Sequence, residues 1–259
     1  MDAQYPILPL LILAPYLLYF FGRLGQYYVL RMLGREAPFD REMHDRGESV
    51  LLGQSLRQVF AWTTGPIYRA LAASRVSPNF LTLLCLVISF AAGALIAFGH
   101  VALGGAVGMV GSSLDFFDGR VARQTGRATR AGGFLDSTLD RYCDIAFLSG
   151  AAVLFRTSVP VLVACLLGMG AAVVISYTRA KAESLGVSLK VGLMQRPERV
   201  VVFCLGAFLD PYVEPLLPEA WQGRHALFAA AIVLLATLSV ITTIHRTYVG
   251  FRTLQREDG

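Results

Sequence analysis

The chain has 259 residues, 55% of them apolar and 16% charged, with a formal charge of +5. That much apolar sequence exceeds what a soluble core of this size needs and points to one membrane-embedded helix bundle. The positive balance does not mark a nucleic-acid binder, because the basic residues sit at the ends of apolar runs and form no continuous face; no nucleic-acid partner is expected.

Residues 5–22, YPILPLLILAPYLLYFFG, form an apolar run about long enough to span a bilayer. Asp2 precedes it in place of basic residues, and no small-residue cleavage site follows, so it reads as an uncleaved anchor. Residues 23–50 interleave arginines with acids and read as a solvated cytoplasmic linker or surface helix. Residues 51–73 mix Leu56, Val59, Phe60 and Trp62 with Arg57, Gln58 and Arg69 at roughly helical spacing, which suits an amphipathic juxtamembrane helix. Ser77-Pro78-Asn79 then breaks the chain.

Six apolar blocks follow, at about 80–98, 101–118, 134–155, 158–178, 200–217 and 226–244. The expected fold is therefore all-α: a polytopic membrane bundle of six core spans, an N-terminal span and a juxtamembrane helix. Residues 1–50 are anchor and linker, and 51–259 are the membrane domain. With the block at 80–98 running outward, 20 of the 23 basic residues fall on the inner side. The positive-inside rule then makes this an inner-membrane protein, with the 119–133 and 179–199 loops cytoplasmic and the N-terminus outside. The cysteines, Cys85, Cys143, Cys165 and Cys204, lie inside apolar runs without metal-ligand spacing and are expected to be reduced packing residues.

The stretch from Asp115 to Asp140 carries the chemistry. Asp115 and Asp118 are three residues apart, and Asp136 and Asp140 four, so each pair shares a helix face. A charged carboxylate at membrane depth costs roughly 2.5–3.5 kcal/mol even on the mildest scale. Four of them call for a hard cation, or a pair, held by oxygen ligands. Asp115, Asp118 and Asp136 are the expected metal ligands, for Mg²⁺ or Mn²⁺, with two ions as the expected number. Asp140, one turn beyond Asp136, can approach an acceptor hydroxyl as general base or touch a metal. The rival reading from another class is a cation-coupled transporter in which the four acids bind the cargo.

Written as a pattern, the stretch is D-x2-D-G-x2-A-R-x8-G-x3-D-x3-D, filled by Asp115, Asp118, Gly119, Ala122, Arg123, Gly132, Asp136 and Asp140. It resembles the signature of the CDP-alcohol phosphotransferase family of membrane enzymes at every position. The resemblance implies metal-dependent transfer of a phosphatidyl group from CDP-diacylglycerol to an alcohol with release of CMP, in phospholipid synthesis, by a homodimer. It also implies that the last acid, Asp140, is the base, and that Asp115, Asp118, Gly119, Ala122 and Arg123 lie against the cytidine and diphosphate. Asn79 and Thr82, in SPNFLT, resemble a second nucleotide element; capping of the following helix is the other reading of these two.

The second inner loop carries Ser176, Tyr177, Ala180, Ala182 and Glu183, then Arg196-Pro197-Glu198-Arg199. It resembles the inositol-phosphate branch of the family. By that resemblance Ser176, Arg179, Arg196, Arg199 and Arg246 are the candidate contacts to an acceptor phosphate, a role that suits charge-assisted bidentate bonding. Inositol 1-phosphate is the favoured acceptor, with glycerol 3-phosphate as the alternative.

Overall fold

The computed structural model describes residues 7–34, 54–189 and 191–257, and these contain eight α-helices and no strand. The helices are α1 (Ile7–Met32), α2 (Gln54–Ala73), α3 (Pro78–Ala97), α4 (Val101–Gln124), α5 (Arg130–Leu154), α6 (Val159–Ser184), α7 (Arg196–Val213) and α8 (Ala226–Glu257). Two short 3₁₀ turns, Glu214–Leu216 and Glu219–Trp221, join α7 to α8. Of the expected linker at 23–50, residues 23–32 instead continue α1 as helix, because the backbone ladder runs on past the apolar run, and residues 35–50 lie outside the described residues, as do 1–6, 51–53, Lys190 and the last two.

Every expected apolar block is a helix, and the chain is an all-α, multi-pass membrane bundle. Helices α1, α3, α6 and α8 are long and apolar enough on their own to cross a membrane. Helices α4, α5 and α7 carry the acids and arginines in place of continuous apolar sequence. Leu83, Val87 and Phe90 on α3, and Val159, Val163, Leu166 and Leu167 on α6, are exposed as apolar stripes, as befits lipid-facing surface.

Element boundaries differ from the apolar blocks in one consistent way. Helix α4 continues to Gln124 and α5 begins at Arg130, so Asp118, Gly119, Ala122 and Arg123 are helical and the inner loop shrinks to 125–129. Helix α6 likewise extends through Arg179 to Ser184, α7 starts at Arg196, and α8 runs past Arg246. Hydropathy marks where apolar side chains stop, whereas the hydrogen-bonded ladder continues into polar sequence until a cap ends it. Here the cap is Gly126, at φ 67°, with Arg127 N–H donating to Ala122 O at 2.8 Å, a Schellman end. Thr129 then caps α5, its Oγ1 accepting from Gly132 N at 3.0 Å.

Helix α4 is the hub, packing on α3, α7, α1 and α2 and touching α5. Small residues permit this. A β-carbon on Gly105 would fall 2.6 Å from both Cys204 O and Phe208 N on α7. Helices α3 and α5 cross as closely, for a side chain on Gly150 would overlap the Gly93 carbonyl. Such crossings are how membrane helices gain packing without a hydrophobic driving force. Below them Phe147, Phe203, Phe228 and Phe155 stack successively, with centroids 5.4, 5.1 and 5.8 Å apart, joining α5, α7 and α8. All four cysteines are buried and unbridged.

At the bundle end away from the four aspartates, Asp210 is 1% exposed and accepts from Phe228 N at 3.0 Å, with His225 Nδ1 2.7 Å from its other oxygen. The Asp210 carboxylate raises the His225 pKa above its ordinary value. Stability from this pair is complete below about pH 6.5, the unfolded value, and is lost as pH rises through the raised folded value. Thermal melting in detergent from pH 5.5 to 9 should therefore fall with pH, and His225→Gln should flatten that part of the profile. An unchanged slope in the variant would dismiss the pair as its source.

Candidate active site

The α4–α5 turn brings the acids together. One carboxylate oxygen from each of Asp115, Asp118 and Asp136 lies within 4.8 Å of the other two. Asp118 is 3% exposed, and both its oxygens are held: Thr82 Oγ1 donates to Oδ2 at 2.7 Å, and Gly119 N–H donates to Oδ1. Asp136 Oδ1 is buried without a hydrogen-bond partner. Three converging carboxylates, one with an unsatisfied buried oxygen, fit a hard divalent cation.

Asp140 stands beside this triad and pairs with Arg196, whose Nη1 is 2.9 Å from Asp140 Oδ1 and also in contact with Asp115 Oδ2. Arg196 Nε and Nη2 are buried without hydrogen-bond partners. Among the expected acceptor residues, Arg196 is thus the one turned to the acids.

A cavity of about 170 Å³ opens next to the triad. Asn79, Thr82, Asp118, Gly119, Ala122, Arg123 and Asp136 all line it. Every expected nucleotide residue except Asp115 is in that wall. A β-carbon on Gly119 would sit 3.2 Å from Arg123 Nη1, so the glycine leaves the guanidinium room over the helix. Capping of α3 falls to Ser77, whose Oγ accepts from Phe80 N at 3.2 Å. Thr82 is instead spent on Asp118 and on Pro78 O.

The remaining acceptor residues form a separate group. Arg179 and Arg199 lie within electrostatic range of Arg246. Arg246 donates to Val191 O from Nε and Nη2, at 2.9 and 2.6 Å, and to Ile175 O at 2.9 Å, fastening the loop before α7 to α6 and α8. Arg179 is more exposed and pairs with Glu183 at 2.8 Å. Ser176 Oγ donates back to Ala172 O at 3.2 Å. Arg199 is buried against Asp144. Two features escaped the sequence reading: the Thr82–Asp118 bond, which joins residues 36 positions apart, and Asp144, which follows Asp140 at the same four-residue spacing.

Comparison with known proteins bears on what this arrangement does. The family model described as CDP-alcohol phosphatidyltransferase matches residues 75–245. The chain belongs to that family. It is accordingly an enzyme of the CDP-alcohol phosphatidyltransferase class, and α1 and α2 precede the matched segment. It is similar to the archaetidylinositol phosphate synthase of Methanothermobacter thermautotrophicus, with 33% identity over 204 residues, 79% of this chain and 95% of that one. It is also similar to the phosphatidylinositol phosphate synthase of Mycobacterium tuberculosis, with 34% identity over 197 residues, 74% of this chain and 87% of that one. Crystal structures of the mycobacterial enzyme superimpose on it. That with CDP-DAG bound gives a TM-score of 0.62 at 30% identity, covering 73% of this chain and 93% of that one. That with manganese and citrate gives 0.63 at 31%, covering 73% and 88%.

The Thr82 hydroxyl orients Asp118, and removing such a supporting bond lowers metal affinity by about tenfold or more. Thr82→Val keeps the shape and deletes the donor. Mn²⁺ binding to the purified variant, followed by electron paramagnetic resonance, should weaken by that factor, and wild-type affinity would show that Thr82 does not support the site.

Proposed function

We propose that this enzyme transfers a phosphatidyl group from CDP-diacylglycerol to inositol 1-phosphate and releases CMP. The observation that carries the reading is the junction of the three-acid cluster with a 170 Å³ cavity walled by Gly119, Ala122 and Arg123. A conduction path needs no such small-residue wall, whereas a flat base and a diphosphate do. The inositol-phosphate acceptor is supported by the relatives, two of which are named for inositol phosphate products, and by the grouping of Arg179, Arg199 and Arg246.

In this scheme the cytidine end of the donor occupies the cavity, with Arg123 against the diphosphate and Asn79 at the rim. Asp115, Asp118 and Asp136 would hold divalent metal, Mg²⁺ or Mn²⁺ and two ions in number, with Asp140 at the edge of the cluster; when bound, it would supply positive charge to the diphosphate. The acceptor hydroxyl attacks the phosphorus bearing the lipid; a new P–O bond forms there, the bond to CMP breaks, and Asp140 takes the hydroxyl proton. Arg196, already paired with Asp140, holds that carboxylate toward the cluster. Arg179, Arg199 and Arg246, with Ser176, receive the phosphate of the acceptor. The basic ends of α4, α6, α7 and α8 lie on the cytoplasmic side of the inner membrane, and α1 begins outside it.

The deciding assay is CMP release by purified protein with CDP-diacylglycerol and Mg²⁺, offering inositol 1-phosphate, glycerol 3-phosphate, inositol and serine separately. Release with inositol 1-phosphate alone is expected. Release only with another alcohol would retire the acceptor assignment while keeping the donor chemistry, and no release with any would overturn the proposed reaction. Asp140→Asn should abolish turnover and leave CDP-diacylglycerol binding in place; normal turnover would remove Asp140 as the base.

A further inference from the structure

Helix α5 carries a third acid beyond the two of the motif. Asp136, Asp140 and Asp144 follow at four-residue spacing along one face, but Asp144 takes no part in the three-acid cluster. Its Oδ2 accepts from Arg199 Nη2 at 2.6 Å, between side chains only 8% and 4% exposed. Arg199 Nη1 donates to Met194 O at 3.3 Å, and Arg199 Nε is buried without a hydrogen-bond partner.

Holding α5 to α7 is a poor reason for this pair. Desolvation of two buried charges offsets most of their attraction, and apolar residues of the same volume pack helices as well. The surroundings are already apolar: Phe147, Leu148, Val200, Phe203 and Leu235 join the pair in lining a cavity of about 10 Å³, room for about one water. Solvent therefore gives the guanidinium little competing direction, and Asp144 sets its orientation. The same carboxylate attracts Arg196, and Arg199 in turn acts on Arg246. Asp144 is thus the counter-charge beneath a cluster of guanidiniums.

We propose that Asp144 is a positioning residue for the acceptor: it fixes Arg199 so that the N–H groups not spent on Asp144 and Met194 meet the phosphate of a phosphorylated alcohol. This rests on the reading that the acceptor carries a phosphate. Asp144 itself touches no substrate and acts through Arg199.

A double-mutant cycle in the full-length protein tests it, with Asp144→Asn, Arg199→Gln and the pair assayed for CMP release under varied inositol 1-phosphate and varied CDP-diacylglycerol. Asp144→Asn should raise the KM for inositol 1-phosphate about tenfold or more, because the buried partner loses its charged hydrogen bond. The KM for CDP-diacylglycerol should stay within about twofold, a split that loss of packing alone would not produce. Added to Arg199→Gln, Asp144→Asn should change the acceptor KM by no more than about twofold, as expected for groups that act as a unit. Multiplicative effects, or a fall in turnover and melting temperature with the acceptor KM unchanged, would overturn the proposal. Should Asp144→Asn alone fail to fold, the comparison within the Arg199→Gln background decides: a further rise in acceptor KM there overturns it. The underlying reading fails separately, if the wild-type protein uses only unphosphorylated alcohols, and Asp144 then loses its role with it. If glycerol 3-phosphate proves to be the acceptor, the cycle is read with that alcohol by the same criteria.

Discussion

Mutual repulsion of carboxylates is the constraint on which this bundle depends. Three acids place oxygens within 4.8 Å of one another, and two unit charges at that separation repel by about 3–4 kcal/mol at an effective dielectric near 20. Hydrophobic packing cannot hold such a group together. What holds it here is covalent geometry and cationic neighbours. The capped turn after Gly126 forces α5 back beside α4, the glycine crossings bring α3 close enough for Thr82 to reach Asp118, and Arg196 enters from α7 to bridge Asp115 and Asp140. Four helices are thereby committed to one end of the bundle, and the divalent-metal chemistry of the family explains why the arrangement is worth its strain.

Helices α1 and α2 precede the segment that matches the family, yet they are built into the same end. Tyr19 Oη donates to Thr63 O at 2.8 Å, and the Arg23 guanidinium lies 3.8 Å from the Trp62 ring centre, against which Tyr27 also packs at 5.6 Å. From α2, Phe60 meets Phe116 edge-on at 4.8 Å, and Tyr68 lies under Arg120 at 4.5 Å. From α1, Tyr16 accepts from Ser113 at 3.2 Å, and Leu13 packs with Ala106 and Phe208. The two helices thus brace α4 on either side of Asp115, opposite the face that carries the cavity wall. A cation–π contact and aromatic edges suit this junction, since they tolerate the mixed polarity near a membrane surface.

Much of this was legible in the residues. Local spacing fixes which acids share a helix face, so Asp115 with Asp118 and Asp136 with Asp140 could be read directly, and the apolar runs fall on helices, four of them long and apolar enough to cross a membrane. Helix ends were less legible, because Arg123, Arg179 and Arg246 look like loop residues by hydropathy although the backbone ladder continues through them. Partner choice was not legible at all. Arg196 and Arg199 sit in one four-residue element, and spacing alone assigns both to the same task. The structure sends Arg196 to Asp115 and Asp140, and Arg199 to Asp144. Contacts between residues 55 or 56 positions apart depend on how α5 and α7 slide past each other, which no local pattern encodes.

That sliding register is itself informative. Acids recur on α5 every four residues, and the arginines at the start of α7 are three apart, so each series advances by about one helical turn. The facing helices can therefore match one arginine to Asp140 and the next to Asp144 without distortion. A shift by one turn would instead place Arg196 against Asp144 and leave Asp140 and Asp115 with no cation, exposing the acids to the full repulsion set out above. The phenylalanine stack through Phe147 and Phe203 fixes the same register from the apolar side. Packing in the core and the pairs made by Arg196 thus select one alignment of α5 and α7, and in that alignment Arg196 meets Asp115 and Asp140 while Arg199 meets Asp144.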